Sequence, residues 1–307
     1  MSQKYDVILV GAGPSNIFLA YELIKLGRNK KVLMIEQGKG VENRICPIEK
    51  TAKCLECKPF CNITCGFSGA GAFSDGKLSL YNKEDDDIHV GGILHHYIGV
   101  EETKRLIDYT DEIYLEFGAD KKLEGTEYKK EILEMKQKAQ KENITLIDIP
   151  IRHLGTEKSH SVYYEIEKYL ITHDISIAFE TVVQDLIIEN NQIKGVKIRS
   201  AKKDSEEEAI YSEHVILGVG RKGANWLSDM CSQYHIKTNV GNVDIGVRYE
   251  LPDKVMQDVN RYMYEAKLIG RPGPFRDKVR TFCQNPSGFV STEVYDDNLT
   301  LVNRTFL

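Results

Sequence analysis

The sequence predicts an α/β protein built on a Rossmann-like parallel sheet. Three observations carry that expectation. The apolar run YDVILV at 5–10 leads into the glycine turn GAGPSN at 11–16 and then into a helical stretch. A second run, KVLMIE at 31–36, ends in an acid, and a third, HVILGVG at 214–220, ends in glycines. Buried parallel strands read as such unbroken apolar runs because helices cover both faces of their sheet. The third run lies far from the other two, so the Rossmann-like part is discontinuous, with α+β material inserted and appended.

The elements follow in order. After the glycine turn, Ile17, Ala20, Tyr21 and Ile24 share one helical face. Pro14 suits the first helical position and Gly27 the position just past the end. Residues 38–80 are rich in Gly and Cys with little periodicity, the pattern of a long functional loop. EDDD at 84–87 reads as a solvated turn. Residues 100–117 and 126–142 space Glu and Lys at helical intervals. TLIDIP at 145–150 reads as a strand and 159–172 as a helix. From 176 onward the stretch SIAFETVVQDLIIENNQIKGVKIRS reads as strands joined by a turn at 189–192, with KKDSEEE at 202–208 as a hairpin tip. The runs VDIGVRYE, KVRTFC, GFVSTEVY and NLTLVN give the last segment a short-strand character. The expected division is a nucleotide-binding part at 1–90 and 160–235, a helical insertion at 91–159 and a substrate-side part at 236–307.

Composition narrows the function. The 307 residues are 41% hydrophobic and 28% charged, with a net charge of −5. A sequence-independent nucleic-acid binder needs a basic face, so nucleic acid is not an expected partner. No apolar run approaches the ~18–20 residues of a membrane span. The start, MSQKYDVILVGAG, enters a strand directly and lacks the arrangement of a signal peptide. These readings imply a cytoplasmic protein. Seven cysteines, an odd number, make a poor disulfide framework, so reduced thiols are expected.

Gly11, Gly13, Pro14, Ser15 and Asn16 fit a dinucleotide turn. The first glycine makes the tight bend, the second lets a pyrophosphate approach the backbone, and the helix N-terminus faces its charge. Asn16 stands where a small residue normally allows close packing, which implies slightly looser packing. Glu36, 25 residues after Gly11, suits the ribose 2′- and 3′-hydroxyls and disfavours a 2′-phosphate. Arg44 is a candidate to neutralise the pyrophosphate, or a surface arginine. The turn alone does not separate FAD from NAD. A nicotinamide enzyme would continue with regular βα units, whereas this chain enters an irregular Gly-rich stretch. It then offers a β-meander from about 176 to 213 and a further Gly-ended strand, as the adenine half of a flavin site requires. Val182 and Val183 suit a backbone contact to adenine, and Gly218, Gly220 and Arg221 suit the pyrophosphate.

At these residues the chain resembles a bacterial family of uncharacterised FAD-dependent dehydrogenases, within the two-dinucleotide-binding-domain flavoproteins. The resemblance rests on GAGPSN at 11–16, Glu36, CGFSGAGAFSDGKLSL at 65–80, IRHLGTEKS at 151–159, HVILGVGRKGANW at 214–226, IGVRYE at 245–250 and TFCQNPSGFV at 281–290. It implies that Gly69, Ala70, Gly71, Ser74, Asp75, Gly76 and Lys77 line the flavin or its pyrophosphate. Lys77 would place a positive charge near the flavin N1–C2=O edge, where it stabilises the reduced anion; the plainer reading is a surface lysine. Gly-Val-Gly at 218–220 departs from the Ala-Thr-Gly common in such flavoproteins. Family members also continue well past Leu307, which leads to the expectation of an incomplete flavin pocket with exposed apolar surface near 283–307.

Cys54, Cys57, Cys61 and Cys65 have the spacing C-x2-C-x3-C-x3-C, with Cys46 eight residues earlier. Thiolates this close suit zinc or an iron–sulfur cluster, a redox-active pair, or a set of small structural side chains. The spacing matches neither a zinc ribbon nor the bacterial ferredoxin run, and Pro59 and Gly66 disfavour a single helix. His153 is a candidate acid or base, with Arg152 beside it in the same candidate substrate wall. Arg248 and Arg280 suit a substrate carboxylate or a salt bridge. Cys283 matches a family position, with no base identifiable beside it. The expected activity is hydride transfer between a small organic substrate and flavin N5. The alternatives are a flavin-binding or regulatory protein without turnover and an NAD-dependent reductase.

Overall fold

The apolar runs at 7–10, 32–35 and 214–217 line up side by side in one sheet, as their composition requires. The computed structural model describes residues 4–51, 54–73, 76–80, 94–201, 205–241, 245–295 and 298–305. In chain order the elements are β1 (Val7–Val10), α1 (Pro14–Lys25), β2 (Val32–Ile35), α2 (Ile48–Thr51), β3 (Lys77–Ser79), α3 (His95–Ile98), α4 (Val100–Glu116), α5 (Lys129–Lys141), β4 (Thr145–Asp148), β5 (Ile151–His153), α6 (Gly155–Thr172), β6 (Ser176–Ala178), β7 (Thr181–Glu189), β8 (Gln192–Ser200), β9 (Glu208–Tyr211), β10 (His214–Leu217), α7 (Ala224–Gln233), α8 (Asp253–Asn260), β11 (Ala266–Gly270), β12 (Val279–Arg280), β13 (Gly288–Tyr295) and β14 (Asn298–Thr305). They form two compact units, Met1–Phe73 with His160–Ile245, and Ser74–Ser159 with Gly246–Leu307.

The first unit holds a four-stranded parallel sheet in the order β10-β1-β2-β6. It is a Rossmann-like α/β sheet. Strand order reverses between β1 and β10, and in open α/β sheets that reversal opens a crevice at the carboxyl ends of the strands. The antiparallel meander β7-β8-β9 packs Val183, Leu186, Val196, Ile198 and Ile210 into one core with Ile8, Val10, Leu33 and Ile35. Each such side chain contributes roughly 1.5–3 kcal/mol of burial. Ile17, Ala20 and Tyr21 of α1 are buried too, so the helix behind the glycine turn is fixed by its apolar face.

The second unit contains the antiparallel sheet β12-β11-β4, the pair β3-β5 and the hairpin β13-β14. Ile132, Leu146, Met263 and Ala266 form its described core cluster. Buried Arg152 on β5 meets buried Asp111 on α4 through Nε to Oδ1, and through Nη2 to Oδ2 at 2.6 Å.

The structure departs from the strand expectations at two places. Residues 245–251 form no strand, and Ile245, Val247 and Tyr249 are 96%, 93% and 78% exposed. Alternation suits a strand, but only a partner edge satisfies its backbone. AKLIG at 266–270, not singled out by pattern, is the middle strand of its sheet because β4 and β12 both pair with it. EDDD at 84–87, residues 202–204 of KKDSEEE, and the side chains of 291–307 lie outside the described residues. No helix among the described residues is long and apolar enough to cross a membrane.

Candidate functional site

The glycine turn sits at the carboxyl end of β1. Gly11 has φ +91°, and a Cβ there would stand 2.5 Å from the Gly218 carbonyl oxygen. Only glycine fits both the backbone and the neighbour. Gly13 differs: a Cβ there would meet nothing nearer than Gly218 O at 3.9 Å. Protein packing therefore does not demand glycine at 13, whereas a phosphate approaching the backbone would. Pro14 opens α1, as its fixed φ favours.

Asn16 packs tightly, contrary to the looser packing its size implied. It is 2% exposed, and its Nδ2 donates to Val10 O at 2.9 Å and Gly11 O at 2.8 Å. The room comes from Gly218, where a Cβ would lie 2.6 Å from Asn16 Nδ2. Gly218 thus serves the amide of α1. Gly220, at φ +58° with open space around it, turns the chain after β10, and Arg221 beside it is exposed.

Glu36, 6% exposed, ties three segments together. Its Oε2 accepts from Ala12 N–H, and its Oε1 accepts from Gly38 N–H and Gly66 N–H, all at 2.9 Å. An ionised carboxylate has about four acceptor sites, so Oε2 keeps capacity for one further hydroxyl donor. The three backbone bonds leave Glu36 that one site. Adjacent ladders bring β7 close: Thr181 N–H donates to Glu36 O and Glu180 N–H to Gly38 O. Val182 is half-buried and Val183 is buried in the core.

Arg44, the candidate for the pyrophosphate, is 2% exposed and organises the loop at 62–68. Nε donates to Asn62 O at 2.8 Å, Nη2 to Ile63 O at 2.7 Å and Nη1 to Phe67 O at 2.5 Å. Its guanidinium lies 4.6 Å from the Phe73 ring centroid. Burial lowers its pKa to about 10, with Glu36 opposing the shift, so it stays charged at neutral pH. Around it Phe67 N–H donates to Lys39 O and Ser68 N–H to Ala12 O, docking the loop on the glycine turn. Ser68, fully buried at φ +73°, accepts from Ala72 N–H at 2.9 Å and starts the 3-10 turn Gly69–Phe73. A non-glycine residue held there costs about 1–3 kcal/mol of strain, the kind that collects at functional sites. Gly69, Ala70 and Gly71 form that turn, and Gly71 faces Tyr163, 3.1 Å from its hydroxyl at the Cβ position. Ser74 and Asp75 lie outside the described residues.

The two candidate catalytic residues meet in the second unit, where Gly76 precedes β3. Lys77 on β3 and His153 on β5 are direct cross-strand partners. The His153 ring stacks on Tyr264 with centroids 4.0 Å apart, and Lys77 Nζ lies 5.6 Å from the Tyr264 centroid. Lys77 Nζ donates to Glu265 Oε2 at 2.9 Å, Cys283 Sγ at 2.9 Å and Gln284 O at 2.6 Å. Burial opposes its charge, yet the bonds to Cys283 and Glu265 outweigh that and raise its pKa. Tyr264 and Glu265 lie just before β11 and carry no motif signal; only their contacts with His153 and Lys77 reveal them. Arg248 and Arg280 are exposed. The same unit has a cavity of about 720 Å³ lined by Leu80, Leu123, Ile132 and Pro150 together with Asp108, Lys129, Lys136 and Asp148.

The four cysteines read as metal candidates do not converge. Among the described residues no group of three His, Cys, Asp or Glu side chains could hold a metal ion. Cys54 is exposed, Cys57 and Cys61 are half-buried, and Cys65 is buried. Burial pushes the Cys65 thiol up to about 11, against a bond from Thr64 that lowers it. A metal ligand must give up that proton, so Cys65 as placed is a packed thiol.

No family model matches the chain. It is similar to an uncharacterized protein of Clostridium beijerinckii, at 21% identity over 98% of this chain and 48% of that one. The chain thus spans about half the length of this curated relative. Similar solved structures include THI4 of Thermovibrio ammonificans (12% identity, 76% of this chain, 64% of that chain, TM-score 0.41). L-proline dehydrogenase from P. horikoshii gives 17% identity, 78% and 58% coverage and a TM-score of 0.42. The 3-ketosteroid-Δ4-(5α)-dehydrogenase of Rhodococcus jostii gives 13%, 70% and 45%, and 0.43. Likenesses this distant bear on neither substrate nor chemistry.

Proposed function

We infer that the protein is an FAD-dependent oxidoreductase acting on a small organic substrate. The observation that carries this is the turn at Gly13: glycine stands where packing leaves open space, at the strand-order reversal, beside a helix N-terminus. That is a cradle a Cβ would fill and a pyrophosphate fits. The backbone from Gly11 to Asn16 would hold the pyrophosphate, with Asn16 fixing the turn from behind. Glu36 would take one ribose hydroxyl through the free site on Oε2. The meander β7-β8-β9, which a plain nicotinamide fold does not need, favours FAD over NAD by offering the backbone of Val182 and Val183 to adenine. Gly69, Ala70 and Gly71 would border the cofactor from the docked loop, with Gly220 and Arg221 beyond β10.

When bound, the flavin supplies two-electron acceptance at N5. The residues of the chain bind, orient and exclude water. Lys77, held charged between Glu265 and Cys283, and His153, held flat on Tyr264, are the polar groups that the second unit would offer to a small organic substrate.

Purified protein, incubated with FAD and passed through gel filtration, is expected to retain absorbance in the flavin bands. A protein that stays colourless after FAD overturns this reading. Retained flavin that no organic donor bleaches reduces it to flavin binding without turnover.

A further inference from the structure

We propose that the cavity of the second unit binds a small zwitterion with an apolar body, either a free apolar amino acid or a short apolar peptide. Its volume of about 720 Å³ lies within the range of small-molecule sites. Bonds of the chain itself fix its walls. Leu80 N–H donates to Pro150 O at 2.8 Å, and Glu124 and Ile151 exchange both backbone bonds, at 2.8 and 3.1 Å. Thr126 Oγ1 donates to Leu123 O at 3.0 Å. Buried Leu80, Ile132 and Pro150 give the cavity an apolar lining, and Leu133, 56% exposed, extends it toward solvent.

Charge sets the ligand class. Four charged residues belong to the described lining. Lys136 and Asp148 form an ion pair and satisfy each other. Asp108 on α4 and Lys129 on α5 are exposed, and among the described residues neither makes a hydrogen bond or an ion pair. One negative and one positive group therefore border the same cavity without being joined. A ligand with only a carboxylate leaves Asp108 unanswered, and one with only an amine leaves Lys129 unanswered. A zwitterion answers both: its carboxylate meets the Lys129 ammonium and its ammonium the Asp108 carboxylate. Its apolar part leaves water against Leu80, Ile132 and Pro150. Lys77 and His153 do not line this cavity, so binding here is separate from the groups proposed to meet the substrate of the flavin.

Calorimetric titration of the whole chain tests this, and it is done without FAD so that the outcome stands apart from the flavin reading. The probes are L-phenylalanine and the dipeptide L-leucyl-L-phenylalanine, each with its N-acetyl form, which lacks the cation, and its C-amide, which lacks the anion. Saturable binding is expected, and the tighter of the two zwitterions names the free amino acid or the peptide as the source. The N-acetyl and C-amide forms are expected to bind about fivefold more weakly, the scale of an exposed ion pair. Glycine and glycylglycine, which lack the apolar body, are expected to bind at least about tenfold more weakly. Lys129→Gln is expected to erase the preference over the C-amide and keep that over the N-acetyl form, and Asp108→Asn to do the reverse. Both side chains are exposed, so these substitutions spare the fold. No saturable binding of either zwitterion up to about 10 mM overturns the proposal. Equal affinity for a form lacking one charge or the apolar body overturns it too, as does a charge preference that both variants leave unchanged.

Discussion

Replacing Gly218 by alanine inserts a Cβ 2.6 Å from Asn16 Nδ2, 2.8 Å from its Cγ and 3.0 Å from its Oδ1. Asn16 is 2% exposed and anchored to Val10 O and Gly11 O, so it cannot swing away without losing both bonds. Overpacking of this kind costs about 1–3 kcal/mol. Asn16→Ala removes two hydrogen bonds worth about 0.5–1.5 kcal/mol each, again about 1–3 kcal/mol. The same substitution also vacates the space the new Cβ needs. The double variant should therefore cost no more than Asn16→Ala alone, a coupling of about 1–3 kcal/mol against the additive sum. Urea unfolding of the wild type, both single variants and the double variant measures this cycle. Additive losses would refute the claim that Gly218 is glycine in order to seat Asn16.

Asp111→Ala strands the buried Arg152 guanidinium and should cost about 3–5 kcal/mol in thermal unfolding; a loss under about 1 kcal/mol would show that the pair is not desolvated. Cys65 adds a pH dependence with a definite sign. Its pKa rises from 9.0 to about 11 on folding, so in that window the unfolded chain gives up its proton first and stability falls as pH rises. The full loss is about 3 kcal/mol. Cys65→Ala should flatten the alkaline limb of the unfolding curve, and a limb unchanged by the substitution would contradict the burial argument.

The parallel sheet was legible because burial on both faces leaves an unmistakable apolar signature in β1, β2 and β10. The glycine turn was legible for a related reason: Gly11 answers to a backbone angle that no other residue adopts comfortably. Asn16 and Gly218 were not legible as a pair, because their complementarity joins residues 202 positions apart in the chain. The place of Arg44 after β2 suits either a pyrophosphate ligand or a surface arginine, and the structure buries it. Its partners are backbone carbonyls of an irregular loop, which leave no trace in side-chain pattern. The segment 245–251 shows the converse, an alternating sequence that becomes a strand only where an edge receives it.

The central claim, that the first unit holds FAD at the glycine turn, is tested most directly by Gly13→Ala. The added Cβ meets no protein atom within 3.9 Å, and Gly13 already has extended backbone at φ −79° and ψ 170°. Folding stability should therefore change by no more than about 1 kcal/mol, the scale of a helix N-cap substitution. Titration of wild type and variant with FAD, followed by flavin fluorescence, is expected to show at least about tenfold weaker binding in the variant, or about 1.4 kcal/mol. Equal affinity in the two proteins would place the cofactor elsewhere and contradict the account.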